Sequence, residues 1–158
     1  MKITILFGSI LIASGLLMTN MYTSIVDAKS WGSDIPHSIE VARQYFRVSN
    51  PGNFFRIFSL VNQLLGLICI IIFWKHGVQV RTMLIAAFLL YVIAEGLTFL
   101  YFFPRNAIMF ETGSLADTGK LTAVWKQWNS MNWVRTVILL LGVICSFRAA
   151  YKILTFRN

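Results

Sequence analysis

The chain has 158 residues, 57% of them hydrophobic and 13% charged, and a formal net charge of +8. Its mean hydropathy is +0.68. So much apolar surface excludes an ordinary soluble domain. Basic residues dispersed at segment ends, rather than gathered in one stripe, exclude a nucleic-acid-binding protein.

A membrane span needs roughly 20 apolar residues to cross ~30 Å of hydrocarbon. Four runs meet this requirement, at about residues 3–26, 54–74, 80–103 and 132–154. Each run is continuous rather than alternating, which favours helices over a barrel. Little chain remains for a soluble domain, so residues 1–158 read as a single integral membrane domain. The first run follows Lys2 and ends in Val26-Asp27-Ala28, which imitates a secretory signal with a small-residue cleavage site. Its apolar core is long for a signal, and Asn20, Tyr22 and Ser24 continue a helical pattern, so it reads as a retained span.

In residues 27–53, Ser33 or Asp34 is placed to cap a helix with Pro36 in its first turn. Ile35, Ile39, Ala42 and Phe46 share one face at helical spacing. This predicts a short amphipathic helix in the first outer loop, lying on the membrane surface or lidding the bundle. Ser49-Asn50-Pro51-Gly52 then stops it. A turn around residues 75–79 makes the second and third runs a tight antiparallel hairpin. The third run is expected to end at Phe103-Pro104. Beyond it, Asp117 or Thr118 caps a helix that continues without a breaker into the fourth run. Along that helix Trp125, Trp128, Asn132, Arg135 and Leu139 fall on one face. The expected fold is all-α, a transmembrane four-helix up-down-up-down bundle.

Charge sets the expected orientation. Lys2, Lys75, Arg81, Arg148, Lys152 and Arg157 fall on the side of the termini with no acid among them. Asp27, Asp34, Glu40, Glu111 and Asp117 fall in the two longer opposite loops. Both termini are therefore expected in the cytoplasm, with the chain in a plasma or bacterial inner membrane.

Glu95 stands out because it interrupts an apolar run, where an ionisable group costs ~3 kcal/mol on insertion scales. If the run ends at Phe103, Glu95 lies ~12 Å below the outer boundary. Asn62 and Gln63 fall at a similar depth, Arg56 one turn into the second run, Asn132 and Arg135 at the start of the fourth, and Asn20 and Tyr22 at the end of the first. Polar groups from four helices thus converge on the outer half of the bundle, while the inner half is almost purely apolar. The plainest role for them is structural, as interhelical hydrogen bonds and snorkelling arginines. The number of groups points further, to an outward-facing pocket that binds a small hydrophobic molecule through Arg56, Asn62, Gln63, Trp125 and Trp128. Glu95 is placed to accept a proton there. His37 and His76 fall on opposite sides of the membrane, and no Cys/His/carboxylate cluster has ligand spacing, so no metal or other cofactor is expected. Cys69 and Cys145 read as packing cysteines.

Phe103-Pro104-Arg105-Asn106, followed about twenty residues later by Trp125 to Thr136, resembles the anthrone-oxygenase-like family of small four-span membrane proteins. Pro104, Asn106, Trp128, Asn132 and Arg135 carry the likeness, which adds Asn106 to the ligand-binding candidates. The long first loop departs from the family pattern. The resemblance implies a cofactor-independent oxygenase that converts an anthrone to an anthraquinone. Glu95 would then be the base, with Arg135, Asn132 or Asn62 stabilising the enolate oxygen. The alternative is a non-enzymatic accessory subunit that docks another membrane protein or a second copy of the chain.

Overall fold

The computed structural model describes residues 2–111 and 117–155. Within them the chain forms four long helices and one short one: α1 (Lys2–Trp31), α2 (His37–Tyr45), α3 (Pro51–Phe73), α4 (Val78–Glu111) and α5 (Thr118–Thr155). The four long helices are each long and apolar enough to cross a membrane. They close a ring in which α1 packs on α3 and α5, and α4 packs on α3 and α5. This is the up-down-up-down bundle that the hydropathy pattern predicts. One end carries the short turn between α3 and α4 and both chain ends; the other carries the two longer connections. They are called here the terminal end and the loop end.

The turn at the terminal end works because Gly77 adopts φ 101°, a left-handed conformation open to glycine without steric cost. Above it the core is stacked in three layers. Leu6, Ile10, Phe73, Leu84 and Ala149 fill the terminal end. Ala13, Leu17, Ala87, Tyr91 and Leu139 fill the middle. Trp31, Ile39, Phe102, Met109 and Trp128 fill the loop end. Apolar side chains such as Leu11, Leu60, Ile71, Leu100 and Val137 remain exposed on the outer faces, as lipid-facing positions must.

Two of the expected boundaries move. The first helix does not end at Val26 but continues to Trp31 through a wide turn at Thr23–Asp27, where the Ala28 amide donates to the Thr23 carbonyl five residues back. The third span does not stop at Pro104. A second wide turn, Thr98–Phe102, places Pro104 in the first turn of a fresh helical segment, where its missing N–H leaves no interior bond unmade. A third such turn, Ala107–Glu111, ends α4. Glu95 consequently lies near the middle of a longer helix, not close to its outer end.

The loop helix α2 forms where Ile39 and Ala42 reach the core, and it caps the bundle. Neither Ser33 nor Asp34 caps it through its side chain. Ser38 instead ties its start to the chain before it, donating to the Trp31 carbonyl at 2.6 Å. At its far end the Arg43 guanidinium donates to the Met109 carbonyl at 2.7 Å, which fastens α2 to the last turn of α4. Asp117 does cap α5, accepting from the Lys120 amide at 2.8 Å.

Gly142 lets α5 pack closely on α4, since a Cβ there would meet the buried Tyr91 ring. Tyr91 is fixed in turn by its hydroxyl contact with Ser146 at 3.1 Å. Gly142→Ala is expected to lower stability by about 1–3 kcal/mol, the usual range for overpacking a core. Thermal unfolding in detergent measures it, and an unchanged midpoint would mean that α5 can yield at this point.

Candidate functional site

The site grows from one residue. Arg135 is 5% exposed, on the inward face of α5 and between apolar layers. A guanidinium in such a place must have its donors met. Its Nε donates to Asn20 Oδ1 at 2.7 Å, Nη1 to Thr98 Oγ1 at 3.1 Å and Nη2 to Asn132 Oδ1 at 2.8 Å. Two aromatic rings cover it, with Phe102 at 4.2 Å and Phe55 at 5.0 Å from ring centroid to guanidinium carbon. Helices α1, α3, α4 and α5 thus all contribute to holding this one cation.

Asn20 and Asn132, both 0% exposed, brace it from behind. The Asn20 amide donates to the Asn132 carbonyl at 3.2 Å and to Thr136 Oγ1 at 2.6 Å. The Asn132 amide donates to the Asn20 carbonyl at 3.3 Å and to Ser24 Oγ at 2.6 Å. The two asparagines therefore clasp each other across the α1–α5 seam and aim their side-chain oxygens at the guanidinium. A guanidinium has five N–H groups. Three are committed, which leaves one on each terminal nitrogen without a partner among the described residues.

Arg135 forms part of the wall of a cavity of about 690 Å³ at the loop end. Trp31, Phe55, Phe102, Phe110 and Trp128 give it flat aromatic walls. Their rings meet edge to face: Trp31–Trp128 centroids are 5.2 Å apart and Phe102–Trp128 centroids 5.4 Å. Arg43, Arg47, Arg56 and Arg135 also line the cavity, against Glu111 as its one lining carboxylate among the described residues. The cavity is therefore aromatic in its depth and cationic overall.

The residues singled out from the sequence divide into three groups. Arg56, Asn106, Trp128 and Arg135 line the cavity. Asn106 holds Trp128 in place by accepting from its indole N–H at 2.8 Å. Asn132 and Trp125 support the wall from outside: Asn132 through Arg135, and Trp125 by donating to the Ala28 carbonyl at 2.7 Å over Gly32. Glu95, Asn62 and Gln63 lie off the cavity. Asn62 and Gln63 each bury a side-chain oxygen with no hydrogen-bond partner among the described residues. Glu95 is half-buried, acts on Arg135 only through space, and makes no hydrogen bond or direct ion pair among the described residues. The cavity at the loop end thus takes in Arg135 but neither Glu95 nor Asn62. Nor do the described residues hold any group of three or more His, Cys, Asp or Glu side chains suited to a metal.

Thr98, Phe55, Phe102, Trp31 and Glu111 belong to the site although the sequence reading passed over them. The Asn20–Ser24 and Asn132–Thr136 pairs, each four residues apart on a helix, were the available signal for the clasp.

Four helices long and apolar enough to span a bilayer define a multi-pass membrane protein. The anthrone oxygenase family model matches residues 53–145, more than half of the chain, and the chain belongs to that family. The match takes in α3, α4 and the part of α5 that carries Asn132 and Arg135; Asn20 and the loop helix α2 lie outside it. No curated protein and no solved structure matches.

Asn20→Ala removes the acceptor of Arg135 Nε and the donor to Thr136 together. The expected loss is about 1–3 kcal/mol, the usual cost of orphaning a buried charged donor. Detergent unfolding checks this, with Asn62→Ala as the comparison; that change removes an amide whose oxygen is already unpaired and should cost less.

Proposed function

We propose that the loop-end cavity binds a flat, weakly acidic polycyclic phenol and that the protein oxidises it as an anthrone-type oxygenase. One observation carries this reading: a buried guanidinium on an aromatic wall that has, among the described residues, no direct ion pair and two N–H groups uncommitted. Those N–H groups suit an oxygen that becomes negative when the ring system loses a proton. The family's name supplies the chemistry, and the cavity's shape and charge agree with it.

The reaction balances without any further reagent. Loss of a proton from the anthrone methylene gives an enolate, whose electron-rich carbon forms a bond to O₂. Conversion of the CH₂ to C=O is a four-electron oxidation. Dioxygen takes all four electrons, leaving one oxygen in the product carbonyl and the other in water. The protein's share is to hold the ring flat, stabilise the enolate oxygen through Arg135 and accept the first proton. On this reading the acceptor is Glu111, since it lines the cavity and Glu95 does not. Glu95 then serves as a distant balance to the Arg135 charge. The cavity would face away from the cytoplasm, following the acid-free terminal end.

Quenching of tryptophan emission by polycyclic phenols should report binding, because Trp31 and Trp128 line the cavity. Oxygen uptake with the same panel should fall roughly 10²-fold in Arg135→Gln, the cost of losing an oxyanion donor. Glu111→Gln should slow uptake and leave binding intact, whereas Glu95→Gln should change uptake much less. Equal uptake by wild type and Arg135→Gln would remove the oxygenase reading. A larger loss in Glu95→Gln than in Glu111→Gln would return the base to Glu95.

A further inference from the structure

The wall of the loop-end cavity changes character from one side to the other. α3 packs on α4 along Val78–Leu97. The last segments of α4, Phe103–Asn106 and Ala107–Glu111, pack on α5 and α2 instead. The two helices therefore part toward the loop end. The cavity occupies the place where they do, since Phe55 and Arg56 of α3 and Phe99 and Phe103 of α4 all line it.

Phe99 and Phe103 are 55% and 38% exposed, on an outer face that also carries Leu100. Their rings meet edge to face with centroids 5.0 Å apart. They belong at once to the cavity lining and to the lipid-facing surface. Phe55 and Phe102 belong to the same lining and lie against the buried Arg135 guanidinium. Polar lining groups come from a different part of the chain: Arg47 and Asn50 precede α3, Asn53 is in its first turn, and Glu111 is the last residue of α4. Acyl chains and apolar side chains solvate one another equally well. An apolar tail can therefore lie in the α3–α4 seam with nothing lost by leaving the bilayer. An acidic oxygen cannot stay in lipid so cheaply, and the Arg135 N–H groups that no described residue uses give it a partner.

We infer that the cavity opens sideways to the bilayer between α3 and α4, and that its ligand is an amphiphile: an acidic phenol head against Arg135, and an apolar tail that passes Phe99 and Phe103 into the lipid. This rests on the reading that the cavity takes a phenol. It adds the phase from which the ligand comes and the second half of its structure. A compact phenol would reach Arg135 and leave the phenyl rings of the seam with no part in its binding.

Photolabelling of the intact protein in lipid nanodiscs tests this. The probe is a dihydroxyanthrone bearing a hexyl chain that ends in a diazirine, and the competitor is the same dihydroxyanthrone without the chain. Label that the competitor displaces should fall on the outer faces of α3 and α4 beside the seam, within residues 57–64 and 96–103. Phe99→Asn with Phe103→Asn should reduce that label about tenfold or more, the scale of removing apolar contact from a tail. Leu89→Asn with Ile93→Asn, an exposed pair on the same helix outside the lining, should leave it nearly unchanged. Thermal unfolding verifies that both pairs are folded. Displaceable label on α2 or on residues 47–53 would point the tail to water; it would overturn the side opening and leave the phenol reading intact. Equal effects of the two pairs, whether loss or none, would reduce the labelling to lipid partitioning and overturn it as well. Label on wild type that excess competitor does not displace would remove the phenol reading together with the amphiphile.

Discussion

A single buried cation, with no directly paired carboxylate among the described residues, organises the loop end of this bundle. Burying a guanidinium among aromatic rings is expensive unless each neighbouring dipole points the right way. Asn20 from α1, Thr98 from α4 and Asn132 from α5 meet that demand, and Phe55 from α3 closes the remaining side. Once these contacts are made, the rotation of each long helix about its own axis is set. Hydrophobic packing in a membrane does not specify such rotations well, because lipid tails solvate apolar side chains as readily as neighbouring helices do. The mutual clasp of Asn20 and Asn132 supplies the missing specificity across the α1–α5 seam.

The cavity itself owes its walls to backbone irregularity. Each of the three wide turns contributes to it: Thr23 from the first, Thr98 and Phe102 from the second, Phe110 and Glu111 from the third. Such turns insert an extra residue and rotate everything beyond them, and they are frequent at functional sites. Here residues from all three turns line the space under the loop helix. Arg43 then ties that helix, the cover, to the end of α4, part of the wall, through a backbone carbonyl.

Much of this was legible in the sequence, and the misses have identifiable causes. Hydropathy located all four spanning helices because twenty-residue apolar runs have few other uses. The stripe from Trp125 to Leu139 correctly marked the inward face of α5, since helical spacing transmits directly to burial. Pro104 misled the boundary of α4, because proline ends a helix only if no wide turn resets the hydrogen-bond frame before it. That error carried Glu95 too close to the outer end of its helix and into a pocket it does not line. Wide turns leave no residue signature in a single chain, so the aromatic walls they assemble from Phe102 and Phe110 were not visible beforehand. Asn62 and Gln63 were conspicuous by polarity alone, and polarity does not say which way a side chain faces.

Helix α5 has a geometric property that links its two ends. Its 38 residues form one continuous rod, ~57 Å long at the standard rise, well beyond the ~30 Å of a hydrocarbon layer. The rod packs tightly against α4 where Gly142 meets the Tyr91 ring. That contact is placed to act as a fulcrum. Arg135 lies on one arm and Lys152 on the other, so a rigid tilt of about 5° would shift each by roughly 1 Å in opposite directions. A rigid helix pivoting there would carry a push on one arm to the other, ~26 Å along the same rod.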